Sequence, residues 1–385
     1  MKNVIILGST GSVGENAVRV ACALSHRIRV VGIVGHSNLA RLAQQAALLK
    51  CEFAATGDET RGSELAALLP DGCRAFAGKR AVEELVRCPG VDLVLCAIVG
   101  TAGLPPVLAA IDSGKDIALA SKEVLVMAGS LVMEAVRQKK VRLIPVDSEH
   151  SAIFQCLEGK RGGVRRVILT ASGGPFRELP RAALEHVTCA EALRHPTWNM
   201  GPKVTLDSAT MMNKALEMVE AHHLFSAGAD QIEVLVHPQS VVHSMVEFED
   251  GVVMAQMSRP DMRFPIQYAF TYPERCDGGL ARLDLTRLSG LTFEKPDTER
   301  FPSLLFAAEA IRRGGIAGAV MNAANEVAVE RFRTGELKFT DIFGIVEQTM
   351  NRFNRKGEAD MNQILEADQN ARQFARQLRK GKENR

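Results

Sequence analysis

The sequence contains few aromatic residues and no marked excess of charge of either sign. Aromatic side chains make up 5% of its 385 residues, with 1 tryptophan and 2 tyrosines, and the formal net charge is +2. A nearly neutral chain lacks the basic surface that non-specific nucleic-acid binding requires, so we expect no nucleic-acid partner. With 46% hydrophobic and 24% charged residues, the composition is typical of a globular protein.

Paired cysteines and a long apolar run are also missing. The 8 cysteines include no C-x-x-C pair, which favours free thiols in a reducing cytoplasm over disulfides or a metal cluster. The most apolar stretch, residues 91–111, contains Asp92 and the pair Pro105–Pro106, so it indicates strand, turn and helix rather than a membrane span. The chain opens on a strand-like MKNVIILG without a secretory or transit segment. We therefore expect a bacterial cytoplasmic protein with no membrane contact.

Apolar runs alternate with amphipathic stretches over the first part of the chain, which predicts βαβ units and a parallel sheet. The strand candidates are VIILG, RVVGIVG, FAATG, DLVLCAI, DIALAS and VRLIPV. We predict an α/β fold with a Rossmann-like dinucleotide-binding domain in residues 1–147 and a central α/β catalytic domain in 148–272. A linker in 273–303 and a small helical domain in 304–385 complete the predicted organisation.

The middle of the chain has a different pattern. RVILTASGG, residues 166–174, continues or adjoins the first sheet in this interpretation. Residues 204–225 are predicted to run from a strand into a helix, with Asp207 and Ser208 as possible N-caps. Residues 231–257 indicate strands joined by a hairpin turn at EDG, 249–251.

The motif GSTGSVG places glycines between the strand VIIL and a predicted helix. In this context glycines let the backbone approach a pyrophosphate, and the helix N-terminus supplies N–H donors to it. The predicted cofactor contacts are Gly8, Thr10, Gly11, Ser12 and Val13. The alternative is a tight turn that binds nothing.

The end of the second strand bears on the choice between NAD and NADP. NAD-binding folds usually place an acid there to hold the ribose hydroxyls. Here the stretch is Gly35, His36, Ser37 and Asn38, without an acid, and Arg41 follows one turn later. The three polar side chains can donate to a 2′-phosphate that a carboxylate would repel, so the sequence favours NADP(H).

Two acids follow the apolar run VRLIPV directly. Asp147 and Glu149 stand two residues apart, and on an extended segment they would share a face and repel each other. Mg²⁺ or Mn²⁺ suits such oxygen ligands, and Glu217 is the best third ligand. The alternative is that the two acids cap a helix beginning at Ser151.

The third ligand stands in the helical stretch MMNKALEMVEAHH. Asn213 and Glu217 are four residues apart and share a face, with Lys214 beside them. Glu220 and Glu233 are alternative ligands by the same reasoning.

Several polar stretches are suited to a phosphate group. SGG at 172–174, DSAT at 207–210 and NK at 213–214 offer hydroxyls, backbone N–H groups and one ammonium. HPTWNMG at 195–201 carries the only tryptophan, either a core anchor or part of a lid that excludes water. His237 and His243 are expected on one face of a strand region, where a structural role is favoured over metal ligation.

These motifs in combination resemble the 1-deoxy-D-xylulose 5-phosphate reductoisomerase family. The resemblance rests on GSTGSVG, PVDSEH, ASGGPFRE, HPTWNMGPKVTLDSATMMNK, VHPQSVVHSMV, PDMR and MNAANE, and it covers essentially the whole chain. It implies an NADP-dependent oxidoreductase that rearranges and reduces a sugar phosphate to 2-C-methyl-D-erythritol 4-phosphate in non-mevalonate isoprenoid biosynthesis. It also implies a homodimer, with Co²⁺ as a further possible metal. The choice between a retroaldol–aldol route and an α-ketol shift stays open.

The resemblance also assigns roles to individual residues. It implies that Asp147, Glu149 and Glu217 hold the metal. The implied substrate contacts are Lys122, Ser148, Glu149, Ser172, His195, Ser208, Asn213, Lys214 and Glu217. The implied cofactor contacts beyond the two motifs above are Ser121, Glu123, Gly201 and Met262. The candidate catalytic residues are Lys122, Glu149, Trp198 and His243.

The sequence departs from the family pattern at two places, both in the cofactor region. Ser121 stands where the family usually has asparagine, and His36-Ser37 stands where a basic residue is usual. Two rival functions remain: a metal-independent sugar-phosphate or semialdehyde dehydrogenase, and a non-catalytic NADPH-binding protein. Chelation would leave the first active, and the second would tolerate loss of Glu149, Lys122 or Glu217.

Overall fold

The computed structural model describes residues 1–159, 162–198 and 200–378. The chain forms two compact units. The first comprises Met1–Val124, Val132–Phe154 and Asp261–Arg282. The second comprises Leu125–Leu131, Gln155–Pro260 and Leu283–Arg385. The four-part division read from the sequence stays a prediction.

The first unit is built on a seven-stranded parallel sheet in the order β4-β3-β2-β1-β5-β6-β7. Its strands are β1 (Lys2–Leu7), β2 (Ile28–Gly35), β3 (Phe53–Thr56), β4 (Arg74–Ala77), β5 (Leu93–Cys96), β6 (Asp116–Leu119) and β7 (Leu143–Pro145). All six predicted strands are present, and the predicted α/β class is confirmed. The sequence pattern missed β4, because this edge strand has only 4 residues and none of them is fully buried.

Helices connect these strands as the alternating pattern predicts. They are α1 (Ser12–Ala23), α2 (Leu39–Leu49), α3 (Gly62–Leu68), α4 (Lys79–Val86), α5 (Leu104–Asp112), α6 (Glu123–Lys139) and α7 (Ser148–Leu157). The core lies between sheet and helices, where Val4 and Ile6 of β1 pack with Val18 of α1 and Leu42 of α2. The strand order reverses at β1, whose neighbours are β2 and β5. The crevice at the carboxyl ends of these strands is where such folds bind ligands.

The second unit contains a four-stranded mixed sheet in the order β11-β10-β8-β9. Its strands are β8 (Val164–Ala171), β9 (Ile232–Val236), β10 (Val242–Phe248) and β11 (Val253–Met257). Residues 166–171 of the stretch RVILTASGG therefore lie in β8 of this sheet and do not continue the parallel sheet. The hairpin predicted at EDG joins β10 to β11, with Gly251 at φ 83°.

The remaining helices include one that belongs to the first unit and a C-terminal group in the second. They are α8 (Cys189–Ala192), α9 (Pro202–Ala209), α10 (Met212–Phe225), α11 (Arg263–Thr271), α12 (Ser303–Arg313), α13 (Ala317–Arg333), α14 (Asp341–Arg352) and α15 (Met361–Gln377). The predicted helical C-terminal region is confirmed by α12 to α15. No helix within the described ranges is both long and apolar enough to cross a bilayer.

The strand predicted at the start of residues 204–225 is wrong. These residues begin inside α9, which starts at Pro202, a residue whose fixed φ suits the first helical turn. Met211, in the left-handed conformation at φ 60°, then separates α9 from α10. Asp207 and Ser208 consequently lie within α9 and do not cap α10.

Candidate active site

The turn between β1 and α1 fits a dinucleotide pyrophosphate. Gly8 has φ 81°, and a Cβ atom there would lie 2.6 Å from the carbonyl oxygen of Ala97. A Cβ atom on Gly14 would lie 2.2 Å from the Gly8 carbonyl oxygen. Gly11 is the N-cap of α1 and has no side-chain hydrogen bond to the helix. The first-turn N–H groups are therefore not occupied by a capping side chain, as a phosphate ligand requires.

The segment after β6 is buried and connects the cofactor region to the first acid. Ser121 donates its hydroxyl to the Ile98 carbonyl oxygen at 2.5 Å, so this serine holds the backbone after β5. Lys122 extends its ammonium to Asp147, with Nζ and Oδ2 2.5 Å apart. Glu123, also buried, begins α6.

The two acids of PVDSEH do not share an extended face, and this expectation is wrong. β7 ends at Pro145 and α7 begins at Ser148, so Glu149 lies in the first helical turn and Asp147 directly precedes it. The alternative helix start at Ser151 is also wrong, because the Ser151 amide already donates to the Asp147 carbonyl at 2.8 Å.

A cation does lie beside these acids, and it is the ammonium of Lys122. Burial by itself raises the pKa of Asp147, but the charge of Lys122 and the nearby His150 outweigh it and hold this pKa well below its usual range. Asp147 is therefore a carboxylate at any physiological pH. Ser148 donates its hydroxyl to Glu149 at 2.7 Å, which orients the second acid.

A second set of charged side chains lies at the start of α10, in the second unit. Asn213 donates its amide to Glu217 Oε1 at 2.6 Å, and Lys214 donates to Oε2 of the same carboxylate. Glu217 is 1% exposed and Lys214 5%. The helical spacing predicted this grouping correctly, since all three residues lie on one face.

The serine of SGG is held by the histidine of HPTW. Ser172 Oγ and His195 Nε2 are 3.0 Å apart. The amides of Trp198 and Thr197 donate to His195 Nδ1 at 2.9 and 3.1 Å, so the ring hydrogen is on Nε2 and points to Ser172. Burial lowers the pKa of His195, which keeps the ring neutral. Ser172 accepts this bond and one from the Gly174 amide, so its own hydroxyl hydrogen remains a donor for a phosphate oxygen.

The backbone of SGG also approaches α9 closely. Gly174 has φ 71°, and a Cβ atom there would lie 2.6 Å from the carbonyl oxygen of Ser208. The fold thereby brings together Ser172, His195 and Ser208, three of the residues predicted to contact the substrate.

Trp198 lies near His243, whose ring centroid is 6.3 Å away. His243 is buried in β10, and its Nε2 has no hydrogen-bond partner among the described residues. Burial, chiefly, lowers its pKa to about 4. His237 lies in the loop between β9 and β10, so the prediction that the two histidines share one strand face is wrong. It has the expected structural role, since its Nδ1 pairs with the Thr292 carbonyl at 2.9 Å.

The predicted site residues are distributed over both units. The first unit carries the glycine turn, residues 35–38, the segment 121–123, Asp147 to Glu149, and Met262 at the start of α11. The second carries Ser172, His195, Trp198, Gly201, Ser208, Asn213, Lys214, Glu217 and His243. Gly201 is the N-cap of α9, and nothing lies within 4 Å of a Cβ atom placed there.

Sequence reasoning missed the residues that hold α9 in place. Asp207 is 1% exposed, and its carboxylate accepts from Lys203 at 2.9 Å and from the Asn325 amide at 2.8 Å. The spacing of four between Lys203 and Asp207 is a helical signal that was available. The contact to Asn325 of α13 spans 118 residues, and no local pattern indicates it.

Comparison with known proteins identifies the family. Residues 4–129 match the 1-deoxy-D-xylulose 5-phosphate reductoisomerase family, 143–225 its C-terminal domain and 257–374 the DXP reductoisomerase C-terminal domain. The reductoisomerase of Symbiobacterium thermophilum is 52% identical over 382 residues, which are 98% of each chain. That of Heliobacterium modesticaldum is 50% identical over 97% of each chain.

Solved structures agree with these sequence matches. The Zymomonas mobilis reductoisomerase in complex with NADPH superposes with a TM-score of 0.92 at 43% identity, covering 97% of this chain and 98% of that one. A DOX-P reductoisomerase in complex with NADPH, fosmidomycin and magnesium gives 0.92 at 37% identity, covering 97% of both. The chain therefore belongs to the 1-deoxy-D-xylulose 5-phosphate reductoisomerase family, as its motifs predicted.

Proposed function

We infer that this protein converts 1-deoxy-D-xylulose 5-phosphate into 2-C-methyl-D-erythritol 4-phosphate, with NADPH as reductant and a divalent metal ion. The observation that carries this function is the 52% identity to the Symbiobacterium thermophilum reductoisomerase over 98% of the chain. Solved relatives bind NADPH and magnesium. The open first turn of α1 and the carboxylates of Asp147 and Glu217, whose side chains are 12% and 1% exposed, are suited to these two ligands.

The metal ligands we propose are Asp147, Glu149 and Glu217. Mg²⁺ or Mn²⁺, with Co²⁺ as a further possibility, supplies Lewis-acid polarisation of the sugar oxygens when bound. Asp147 contributes a permanent negative charge, because Lys122 and His150 keep its pKa low despite burial. Ser148 fixes the orientation of Glu149 through its hydroxyl.

The phosphate end of the substrate is held, we propose, by Ser172, Ser208, Asn213 and Lys214. Ser172 offers its hydroxyl hydrogen because the neutral His195 donates to its oxygen. Lys214 offers charge-assisted donors, which are stronger than neutral ones. Fixing this remote group positions the reacting carbons, so its binding energy serves catalysis as well as affinity.

The other proposed contacts lie at the reacting end of the sugar and along the cofactor. Lys122 contacts the substrate and Trp198 excludes water from it. His243 faces Trp198 as a neutral ring at physiological pH, since its pKa is about 4. Along NADPH we place Glu123, Gly201 and Met262.

The decisive assay follows NADPH absorbance with 1-deoxy-D-xylulose 5-phosphate and Mg²⁺ or Mn²⁺, and then with excess EDTA. We expect oxidation that depends on the metal and yields 2-C-methyl-D-erythritol 4-phosphate. Restoring Mn²⁺ after chelation is the control for irreversible damage. Oxidation that persists in EDTA would instead identify a plain dehydrogenase, and NADPH binding without any oxidation would refute the function.

A homodimer is the oligomeric state we propose, with β11 in its interface. β11 is an edge strand of sequence VMAQM, without charge or proline. Val253 is 47% exposed and Met254 37%. Natural proteins seldom leave an apolar strand edge uncovered, because it invites pairing with other chains. Antiparallel pairing of β11 with its copy about a twofold axis would cover both edges at once.

Lysine at both Val253 and Met254 should convert the dimer to a monomer in sedimentation velocity, because two like charges would then face their copies. Leu48→Lys is the matched control, since Leu48 is an apolar side chain 61% exposed on α2. A dimer that survives the double substitution contradicts the role of β11, and a monomeric wild-type protein contradicts the homodimer.

The bacterial cytoplasmic location also stays a prediction.

A further inference from the structure

The loop after β2 lacks a permanent positive charge where the fold places the adenosine ribose. In Rossmann-type folds this ribose lies at the end of the second strand, and NADP-binding forms accommodate its 2′-phosphate with an arginine nearby. Residues 36–38 are exposed and polar. A phosphate monoester carries a charge of about −1.5 to −2 at pH 7, so a cation from elsewhere in the fold is needed to bind it firmly.

Arg41 is close to this loop in sequence but is engaged by Glu15. Its Nε and Nη2 atoms donate to the two oxygens of Glu15 at 2.6 and 2.7 Å, and Nη1 donates to Gln44 at 3.1 Å. Gln45 donates to Glu15 as well, at 2.9 Å. This half-buried cluster ties α1 to α2, so the guanidinium of Arg41 serves the packing of the two helices.

Arg61 reaches the loop from the neighbouring strand. It ends the single turn Glu59–Arg61 that follows β3, and β3 pairs in parallel with β2 through Gly35 and Thr56. Arg61 Nη1 donates to the Ser37 carbonyl oxygen at 2.7 Å. The guanidinium is therefore already held against the loop by a hydrogen bond of its own.

The remaining partner of Arg61 is a carboxylate that a phosphate can replace. Glu64 accepts from Nε and Nη2 of Arg61 at 2.8 and 2.6 Å, but the Glu64 side chain is 51% exposed. An ion pair this exposed is screened by solvent and contributes little to stability. Asp58, the other acid beside Arg61, uses its Oδ1 to accept from the Thr60 amide and hydroxyl at 3.0 and 2.7 Å.

We propose that Arg61 binds the 2′-phosphate of NADPH and determines the preference for NADPH over NADH. The inference rests on the proposed use of NADPH and adds a residue outside the glycine turn and the loop. A planar guanidinium can hold a phosphate with two parallel hydrogen bonds. NADH presents only a hydroxyl there, so Arg61 adds little to its binding.

The test measures dissociation constants by quenching of intrinsic fluorescence or by calorimetry, without metal or sugar phosphate. The probes are NADPH against NADH, and 2′,5′-ADP against 5′-AMP. Arg61→Ala should weaken the binding of NADPH and of 2′,5′-ADP by about 10-fold or more, because the loss of even one of the two charge-assisted hydrogen bonds costs that much. NADH and 5′-AMP should bind as they do to the wild type, and Arg61→Lys should recover part of the loss.

Arg41→Ala is the matched control, because Arg41 is the other arginine beside this loop. Since Arg41 holds α1 against α2, its loss should raise the dissociation constants of NADPH and NADH by the same factor and leave the ratio of the two constants unchanged. A wild-type preference for NADPH that survives in Arg61→Ala, or is lost in Arg41→Ala instead, would overturn the role of Arg61. Equal wild-type affinities for NADPH and NADH would overturn the proposed cofactor itself.

Discussion

Replacement of Asp147 by alanine is expected to lower kcat/KM by about 100-fold or more, because the Lewis-acid contribution of the metal is worth several kcal/mol of transition-state stabilisation. The substitution removes a proposed metal ligand, and it also removes the carboxylate that lies 2.5 Å from the ammonium of Lys122. Lys122 is 9% exposed, so the loss of this carboxylate costs more than the loss of a partner would cost an exposed lysine. Steady-state kinetics at saturating Mn²⁺ measure the fall in kcat/KM, and calorimetric titration with Mn²⁺ measures the loss of metal affinity.

Two further variants separate the charge of Asp147 from its shape and compare its ion pair with an exposed one. Asp147→Asn keeps the shape but not the charge, so it should bind metal poorly while unfolding at nearly the wild-type temperature. Asp112→Ala breaks the pair with Lys139, which is equally short at 2.6 Å but has side chains 45% and 66% exposed. That variant should change activity hardly at all, because a solvent-screened pair of this kind contributes little. Near-wild-type turnover in Asp147→Ala would refute the metal assignment.

Substitution of Gly174 by alanine is expected to disrupt the phosphate-binding groups. Alanine at φ 71° is strained, and its Cβ atom would meet the Ser208 carbonyl oxygen at 2.6 Å. Backbone strain of this kind costs about 1–3 kcal/mol, and relieving the contact requires Ser208 and α9 to move. We expect the KM for the sugar phosphate to rise by about 10-fold or more, since 1.4 kcal/mol corresponds to a factor of 10.

Most of the proposed NADPH contacts lie outside α9, with Gly201 as the exception, so the affinity for NADPH should change much less than the KM for the sugar phosphate, which separates this effect from general unfolding. Gly279→Ala is the matched control, because Gly279 has φ 72° but nothing within 4 Å of a Cβ atom. It should therefore lose stability through the backbone alone and keep its KM. Equal KM values in the two variants would show that the contact with Ser208 does not position the phosphate groups.

Local patterns predicted most of the elements correctly, and they failed for β4 and for α9. The strands of the parallel sheet are buried on both faces, so they stand out as continuous apolar runs. β4 has no buried residue and gives no such signal. The start of α9 was mistaken for a strand because this helix has few apolar residues. Its buried Asp207 accepts a hydrogen bond from Asn325 of the distant α13, a contact that no local pattern indicates.

The sequence by itself determined the fold class, the glycine turn, the residue types of the candidate site and the family, because each of these is encoded in short, contiguous stretches. Only the tertiary structure decided which charges meet. Lys122 follows β6 and Asp147 follows β7, and their ends adjoin because these two strands pair in parallel. Arg61 reaches Ser37 for the same reason, since β3 pairs with β2. Parallel pairing brings the ends of strands together across helical crossovers of many residues, and a linear pattern does not contain the strand order.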